Sequence, residues 1–197
     1  MDPVRCNPAD GRRGLWRRGT GLAVIALGLA LALALEGCAS TQPPLEVVEE
    51  VDLDRYLGSW YEIASFPQRF QRGCVASMAI YSRRPDGRIG VVNECRDGSF
   101  DGELRRAEGV AWVTDENKSQ AKLKVQFFWP FRGDYWIIEL DSEYRYAVVG
   151  HPSRDYLWIL ARTPSLEPML YQAISDRLEA QGYDLTRLLT TPQPPGP

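Results

Sequence analysis

Few residues in this 197-residue chain have side chains that could carry out chemistry. The chain has one histidine, His151, and four cysteines, and it lacks the Gly-x-Ser-x-Gly turn that presents a nucleophilic serine. One histidine leaves little material for a Ser/His/Asp or Cys/His nucleophile, or for a His-rich metal site. We therefore expect no catalytic residues, no metal site and no cofactor.

Composition favours one folded domain with a sizeable core. The chain is 44% hydrophobic and 11% aromatic, with a formal net charge of −3. In the folded part the lysines and arginines are scattered among acids rather than gathered in a basic run. Nucleic acid is therefore not an expected partner.

Residues 1–37 are predicted to be a signal peptide. An arginine-rich start precedes the apolar segment 21–35, which is too short to span a bilayer comfortably. The sequence 35–40, LEGCAS, resembles the lipobox of bacterial lipoproteins, in which cleavage precedes a cysteine that is then acylated. This predicts Cys38 as the lipid-attachment residue, although Glu36 departs from the small uncharged residue usual there. Plain secretion without lipid is the alternative.

An acylated Cys38 would hold the protein on a membrane, because each buried methylene contributes roughly 0.8 kcal/mol. Ala39 stands where an aspartate would favour inner-membrane retention, so we expect the periplasmic face of the outer membrane. Residues 38–50 are predicted to be the lipidated N-terminus and a tether that lifts the domain off the surface. Removing residues 1–37 takes away five arginines and three acids, which changes the net charge from −3 to −5. Such an acidic body would not adhere to anionic lipid by charge.

The domain at 51–189 is predicted to be all-β. Apolar and polar residues alternate in short runs bounded by Gly, Pro, Asp or Asn, which indicates an antiparallel meander. Eight strands are predicted: 59–66, 75–81, 89–95, 104–113, 121–128, 135–140, 144–149 and 155–161.

One helix follows the strands. It opens at Thr163–Ser165 and ends before Gly182, and its apolar residues recur at helical spacing, which favours packing outside the sheet. Residues 183–189 could add a short strand, and residues 190–197 are predicted to be a disordered tail.

Three stretches together span nearly the whole mature domain: Gly58-Ser59-Trp60, Asp141 to Tyr146, and Arg162 after LWILA. In this order they resemble the first motif (Gly-x-Trp), the second and the third motif of the lipocalin family, and in particular of its bacterial lipoprotein members. The resemblance implies an eight-stranded up-and-down barrel with a lateral helix and an apolar calyx for a hydrophobic ligand.

In that fold Gly58, Trp60 and Arg162 are structural. Arg162 would lie across the closed end and stack on Trp60, a cation–π contact worth about 0.5–2 kcal/mol. Glu62 has the same parity as Trp60, so its side chain would either project into the barrel or be solvent-exposed because the strand twists. We assign it no role.

Strand parity, together with the lipocalin register, predicts which residues line the calyx and bind ligand. The alternative is that they fill a solid core, but the many small residues favour an open cavity. The predicted lining is Ala64, Ser77, Ala79, Tyr81, Val91, Asn93, Ala107, Gly109, Ala111, Val113, Leu123, Val125, Phe127, Tyr135, Ile137, Ala147, Val149, Tyr156 and Trp158. The aromatic residues expected at the mouth are Phe66, Phe70, Phe128, Trp129 and Phe131.

Cysteine use points to an oxidising compartment. Cys6 leaves with the signal peptide, while Cys74 and Cys95 flank the one hairpin whose turn, Pro85-Asp86-Gly87, is predictable. We predict a disulfide between them, with two free buried thiols as the alternative.

The leading functional hypothesis is non-catalytic binding of a fatty acid or lysophospholipid, for storage or transport in membrane maintenance under stress. Its head group would stay at the wet mouth, where Arg69, Arg72 and Arg132 are candidate contacts.

Three alternatives remain. One is an enzyme acting on a lipid or pigment, with Glu62, Tyr81, Tyr156 or a cysteine as the catalytic group. Another is an envelope scaffold with an incidental pocket. The weakest is a haem carrier that would rely on His151 as axial ligand. A homodimer is possible.

Overall fold

The computed structural model describes residues 42–114 and 119–195. The predicted signal peptide and Cys38 lie outside these residues. In the described part, no helix has both the length and the apolar character needed to cross a membrane.

Nine antiparallel strands form one sheet that closes on itself, with the order β2-β3-β4-β5-β6-β7-β8-β1-β9 and an additional β1–β2 pairing. The strands are β1 Gly58–Ser65, β2 Cys74–Arg83, β3 Ile89–Asp97, β4 Leu104–Val113, β5 Lys122–Gln126, β6 Gly133–Leu140, β7 Tyr146–Gly150, β8 Leu157–Ala161 and β9 Leu189–Thr190. Eight of them make the barrel, and β9 is added beside β1 at Ala64 and Ser65. The predicted eight-stranded up-and-down barrel is therefore confirmed.

In residues 42–114 and 119–195, two α-helices accompany the barrel. The single-turn helix α1, Leu53–Tyr56, is capped by the Asp52 carboxylate, which accepts from the Asp54 and Arg55 amides. The helix α2, Pro168–Ala180, begins with proline in its first turn and is capped by Glu167. Ile174 and Leu178 of α2 are fully buried against outward-facing side chains of the barrel. The helix therefore packs outside the sheet, as predicted.

Two packed regions share the strands, because successive side chains point to opposite faces. Inside the barrel lie Trp60, Tyr81, Ile137 and Val149 among others, while the outer region beneath α2 contains Val148 and Ile159. Alternation along β7 and β8 therefore separates the lumen from the helix-facing layer.

The closed end is held by Arg162, whose guanidinium lies 3.8 Å from the centre of the Trp60 ring. It donates to the carbonyl oxygens of Ser59 at 2.8 Å, Arg55 at 2.8 Å and Leu57 at 2.9 Å. Gly58 has φ +94, a conformation that favours glycine, and a side chain there would meet the guanidinium. These contacts close one end of the barrel.

The second predicted motif joins the same end. The Asp141 carboxylate accepts from the Glu143 and Arg145 amides and from the Arg145 side chain. The bonds from the Arg145 side chain lower the pKa of Asp141 to about 2. Arg162 N donates to Arg145 O at 2.8 Å, so all three motifs converge there.

Both domain boundaries differ from the prediction. The expected tether already packs on the barrel: Leu45 is buried and Val48 N donates to Ile137 O at 3.1 Å. In the expected tail, Gln193 donates to the carbonyl oxygens of Glu62 and Ser77, and Pro192 O accepts from Ala76 N. These contacts occupy the gap where β1 and β2 separate, so the folded part runs from Pro43 to at least Gln193.

The predicted disulfide between Cys74 and Cys95 is present, with a Cα–Cα distance of 5.4 Å. It joins β2 to β3 near the ends of these strands that lie away from α1.

We predict that Arg162→Ala lowers the free energy of unfolding by about 3 kcal/mol, because it removes several charge-assisted hydrogen bonds and the contact with Trp60. The matched control is Arg106→Ala, which removes an exposed pairing with Glu94 and Glu108 and should cost less than about 1 kcal/mol. Urea unfolding measures both, and equal losses would contradict the structural role of Arg162.

Candidate functional site

The lumen is the candidate site, and it is divided by three hydrogen-bonded tyrosines. The Tyr135 hydroxyl lies 2.7 Å from that of Tyr56 and 2.8 Å from that of Tyr81. Tyr56 comes from α1, Tyr81 from β2 and Tyr135 from β6, so the cluster crosses the barrel. We call these three residues the tyrosine cluster.

Below the tyrosine cluster the lumen is filled. A residual cavity of about 10 Å³ is lined by the cluster and by Leu53, Ile89, Ala111, Leu123 and Ile137. That volume is about one water probe, too little for a lipid chain. The solid-core alternative therefore holds for the closed-end half of the barrel.

Above the cluster the wall is built of smaller side chains. Ala107 and Gly109 pair with Asn93 and Val91 across β3 and β4, and they share the inward parity of buried Ala111. They are only half-buried, so solvent reaches them from the lumen. We call this part, between the tyrosine cluster and the open end, the upper lumen.

Phe127 and Trp158 supply aromatic surface to the upper lumen. Both are half-buried and pack against the interior cluster. A Cβ at Gly109 would lie 2.8 Å from Phe127 Cδ1, so the absent side chain at Gly109 makes room for this ring.

A buried carboxylate stands on β1 at the upper lumen. Glu62 is 7% exposed and accepts from Gln71 Nε2 at 2.6 Å, Ser65 Oγ at 2.9 Å and Thr191 Oγ1 at 2.6 Å. Gln71 Oε1 also accepts from Trp158 Nε1 at 3.3 Å. Glu62 therefore joins β1, the β1–β2 loop and the C-terminal segment.

The mouth is formed by the loops β1–β2, β3–β4, β5–β6 and β7–β8, which lie at the end opposite α1. Arg105 on β4 donates to the carbonyl oxygens of Phe70 and Arg72, both at 2.9 Å, and to Asp97. It therefore fixes the β1–β2 loop at the mouth.

Most predicted lining residues face the lumen. Those that pack in the interior cluster are Ala79, Tyr81, Val91, Ala111, Val113, Leu123, Val125, Phe127, Tyr135, Ile137, Ala147, Val149 and Trp158. Tyr156 lies at the mouth, 39% exposed and stacked on Trp158.

Ala64 is the exception, since it packs with the helix-facing cluster. A register shift between Glu62 and Ala64 in the β1–β8 pairing reverses the parity, and Ser65 then pairs with Trp158. Ser65, which was not predicted, therefore takes the inward place.

The predicted mouth residues need one correction as well. Phe66 is fully buried between Tyr183 and Arg187, whereas Phe70, Phe128, Trp129 and Phe131 are exposed in the mouth loops.

Of the arginines predicted at the mouth, Arg69 and Arg72 lie on the β1–β2 loop, while Arg132 lies over the Trp112 ring. Trp112 is adjacent to inward-facing Ala111 on β4, so its side chain points to the outside of the barrel. Arg132, which lies over the Trp112 ring, therefore packs on the outer surface of the barrel. Sequence reasoning missed Arg105 and Gln71; Arg105 continues the inward parity of Ala107, which could have revealed it.

His151 has partners on both ring nitrogens. Nδ1 lies 2.9 Å from Ser153 Oγ, and Nε2 lies 3.6 Å from an Asp134 carboxylate oxygen. In the described part of the chain, no group of three or more His, Cys, Asp or Glu is placed to hold a metal ion.

Known proteins resemble this chain both in sequence and in fold. A family model described as "Lipocalin-like domain" matches residues 51–193. The chain is 41% identical over 175 residues to "Outer membrane lipoprotein Blc" of Escherichia coli K12, covering 88% of this chain and 97% of that protein. It is 42% identical over 157 residues to "Temperature-induced lipocalin-1" of Arabidopsis thaliana, covering 76% and 83% of the two chains.

Among solved structures, insecticyanin from the tobacco hornworm Manduca sexta superposes with a TM-score of 0.61 at 19% identity, covering 77% of this chain and 86% of that one. At that identity the likeness concerns the fold alone.

The tyrosine cluster predicts a loss of stability at high pH. Burial raises the pKa of Tyr81 to about 12, and it raises the pKa of Tyr56 and Tyr135 as well. Above the unfolded tyrosine pKa of about 10, the unfolded chain has released protons that the folded chain keeps, so the free energy of unfolding falls as pH rises. Tyr81 alone contributes about 1.4 kcal/mol per pH unit between about pH 10 and 12.

Urea unfolding of the wild type and Tyr81→Phe across this range measures the effect. The variant should show the shallower dependence on pH; equal slopes would contradict the assignment.

Proposed function

The chain belongs to the lipocalin family, whose members bind small hydrophobic molecules in a barrel, and we propose that it is an envelope lipoprotein that binds a single-chain lipid. The ligand would be a fatty acid or a lysophospholipid, held in the upper lumen for storage or transport during membrane maintenance. The observation that carries this proposal is the half-buried apolar wall above the tyrosine cluster, formed by Ala107, Gly109, Val125, Phe127 and Trp158.

The floor of the site favours one chain rather than two. The tyrosine cluster spans the barrel and leaves only about 10 Å³ beneath it. A tail can therefore use the upper lumen only, where each buried methylene contributes at most roughly 0.8 kcal/mol before the cost of association. One acyl tail fits this limited depth better than the two of a phospholipid.

Charge favours a tail-in orientation. Glu62 lies on the wall of the upper lumen and is held by three hydrogen bonds. A ligand carboxylate or phosphate next to Glu62 would bring two like charges together away from water. The head group would instead remain at the mouth, where Arg69, Arg72 and Arg105 offer positive charge.

The relatives and the N-terminal sequence both support an outer-membrane location. The Escherichia coli relative is an outer membrane lipoprotein by name, and this chain carries a lipobox-like sequence before Cys38. We infer that Cys38 is acylated and that the protein sits on the periplasmic face of the outer membrane. The intact mass of protein purified from membranes tests this, because acylation adds the mass of its fatty chains to the chain starting at residue 38.

We predict that Ala107→Phe weakens binding of lysophospholipid and of fatty acid by about tenfold or more, a change of about 1.4 kcal/mol. The ring would occupy space in the upper lumen that the tail needs. The matched control is Glu108→Phe, the next residue on β4, which points to the outside of the barrel and is exposed. Calorimetric titration of the delipidated proteins measures both.

Wild-type affinity retained in Glu108→Phe and lost in Ala107→Phe places the tail in the upper lumen. If the wild type ignores both lipids, or if Ala107→Phe binds as the wild type does, the proposed site is wrong.

A further inference from the structure

Large apolar side chains are exposed mainly at one end of the barrel. Of the nine that are exposed in the described part of the chain, seven lie in the mouth loops or within the strand residues next to them: Phe70, Phe100, Leu104, Phe128, Trp129, Phe131 and Tyr156. Only Met169 and Leu189 lie elsewhere. Single exposed apolar residues are ordinary, but a group gathered at one end of a soluble-type fold marks an interaction surface.

The most exposed members come from two loops. Trp129 is 84% exposed, Phe131 77%, Phe128 73% and Phe70 62%. The loops are 66–73, between β1 and β2, and 127–132, between β5 and β6. With the strand order found here, these loops stand on opposite sides of the mouth. A flat surface that touches both loops would therefore cover the entrance to the upper lumen.

The same two loops are basic. They contain Arg69, Arg72 and Arg132 and no acidic residue. The mature chain as a whole is acidic, with a net charge of −5 once residues 1–37 are removed. Arg132 lies against Trp112 on the outer wall, behind the exposed tips of Phe128 and Trp129. Aromatic tips with arginines behind them match the lipid–water boundary, where aromatic rings sit at the level of the head groups and cations meet phosphates.

The packed part of the chain begins at the same end. Arg154, in the β7–β8 loop at the mouth, donates from Nη2 to Pro43 O at 2.7 Å. From Pro43 the chain runs along the wall to Val51, which is buried next to the closed-end residues. Pro43 therefore lies at the mouth end of the barrel.

Chain length sets how far the anchor can be from the mouth. Pro43 lies five residues after Cys38, and five steps of at most about 3.6 Å each span about 18 Å. Strands of eight to ten residues such as β1 and β2 are about 26–33 Å long at about 3.3 Å per residue. An acylated Cys38 can therefore reach a bilayer that faces the mouth, but the segment is too short to place the closed end on it.

We propose that the mouth of the barrel docks on the lipid surface, with Phe70, Phe128, Trp129 and Phe131 inserted at the head-group boundary and the arginines on lipid phosphates. The orientation rests on the proposed acylation of Cys38. Lipid then passes between the bilayer and the upper lumen without crossing open water. The mature chain is acidic overall, but the two loops proposed to meet the membrane are basic.

Spin labels at two exposed positions test the docking. Phe131→Cys places a label in the β5–β6 loop, and Met169→Cys places the control on α2, where the native side chain is 79% exposed. The full-length mature protein is extracted from membranes and reconstituted into vesicles of phosphatidylethanolamine and phosphatidylglycerol. Wild-type protein treated with the same spin label gives the background signal. Collision rates with oxygen, which concentrates in lipid, and with a water-soluble nickel complex are then compared.

We expect oxygen to dominate at position 131 and nickel to dominate at position 169. Nickel dominating at both positions would overturn the proposal. So would strong spin–spin broadening at position 131 in both vesicles and detergent, because that result makes the occupant a second copy of the chain. If the calorimetric titration shows lipid binding but the label at position 131 is in water, docking is refuted and the proposed function stands. If the label at position 131 is in lipid but the protein binds neither lipid in the titration, the proposed function is refuted and docking stands.

Discussion

One half-buried arginine determines where this barrel is closed and hence where it can be open. The guanidinium of Arg162 reaches carbonyl oxygens on both sides of Gly58 and covers the Trp60 ring at 3.8 Å. It thereby ties the segment before β1 to the end of β8, more than a hundred residues later. Because this end is closed by side chains, ligand entry is left to the opposite end, where the loops carry aromatic and basic residues.

The interior is divided between stability and binding. In the tyrosine cluster two hydrogen bonds link three phenol hydroxyl groups, so each hydroxyl has a partner within the cluster and the floor of the site is polar. Above it, small side chains leave space that solvent reaches, and Glu62 connects that wall to the β1–β2 loop through Gln71. The same loop contains Phe70, whose carbonyl oxygen accepts a hydrogen bond from Arg105 on β4. Hydrogen bonds therefore connect the surface proposed to meet lipid with the wall of the site.

Much of this was predictable from sequence, because a barrel obeys a two-residue period and closes by a known pattern. Parity placed most of the lining correctly, and the disulfide followed from two cysteines flanking one clear hairpin. The errors have local causes. Ala64 was misplaced by a bulge that sequence alone does not show, and Phe66 was assigned to the mouth although it packs beneath Tyr183. The tyrosine cluster, the contacts of Glu62 with Gln71 and Thr191, and the bond from Arg154 to Pro43 join residues from 9 to 129 positions apart. These contacts therefore depend on the three-dimensional path of the chain.

The central claim is that the upper lumen holds one single-chain lipid above the tyrosine cluster. Native mass spectrometry of the protein extracted from its own membrane, followed by identification of the released molecule, tests it most directly. The account predicts one fatty acid or one lysophospholipid per barrel. A barrel that carries an intact two-chain phospholipid, or that is isolated consistently without any lipid, would contradict it.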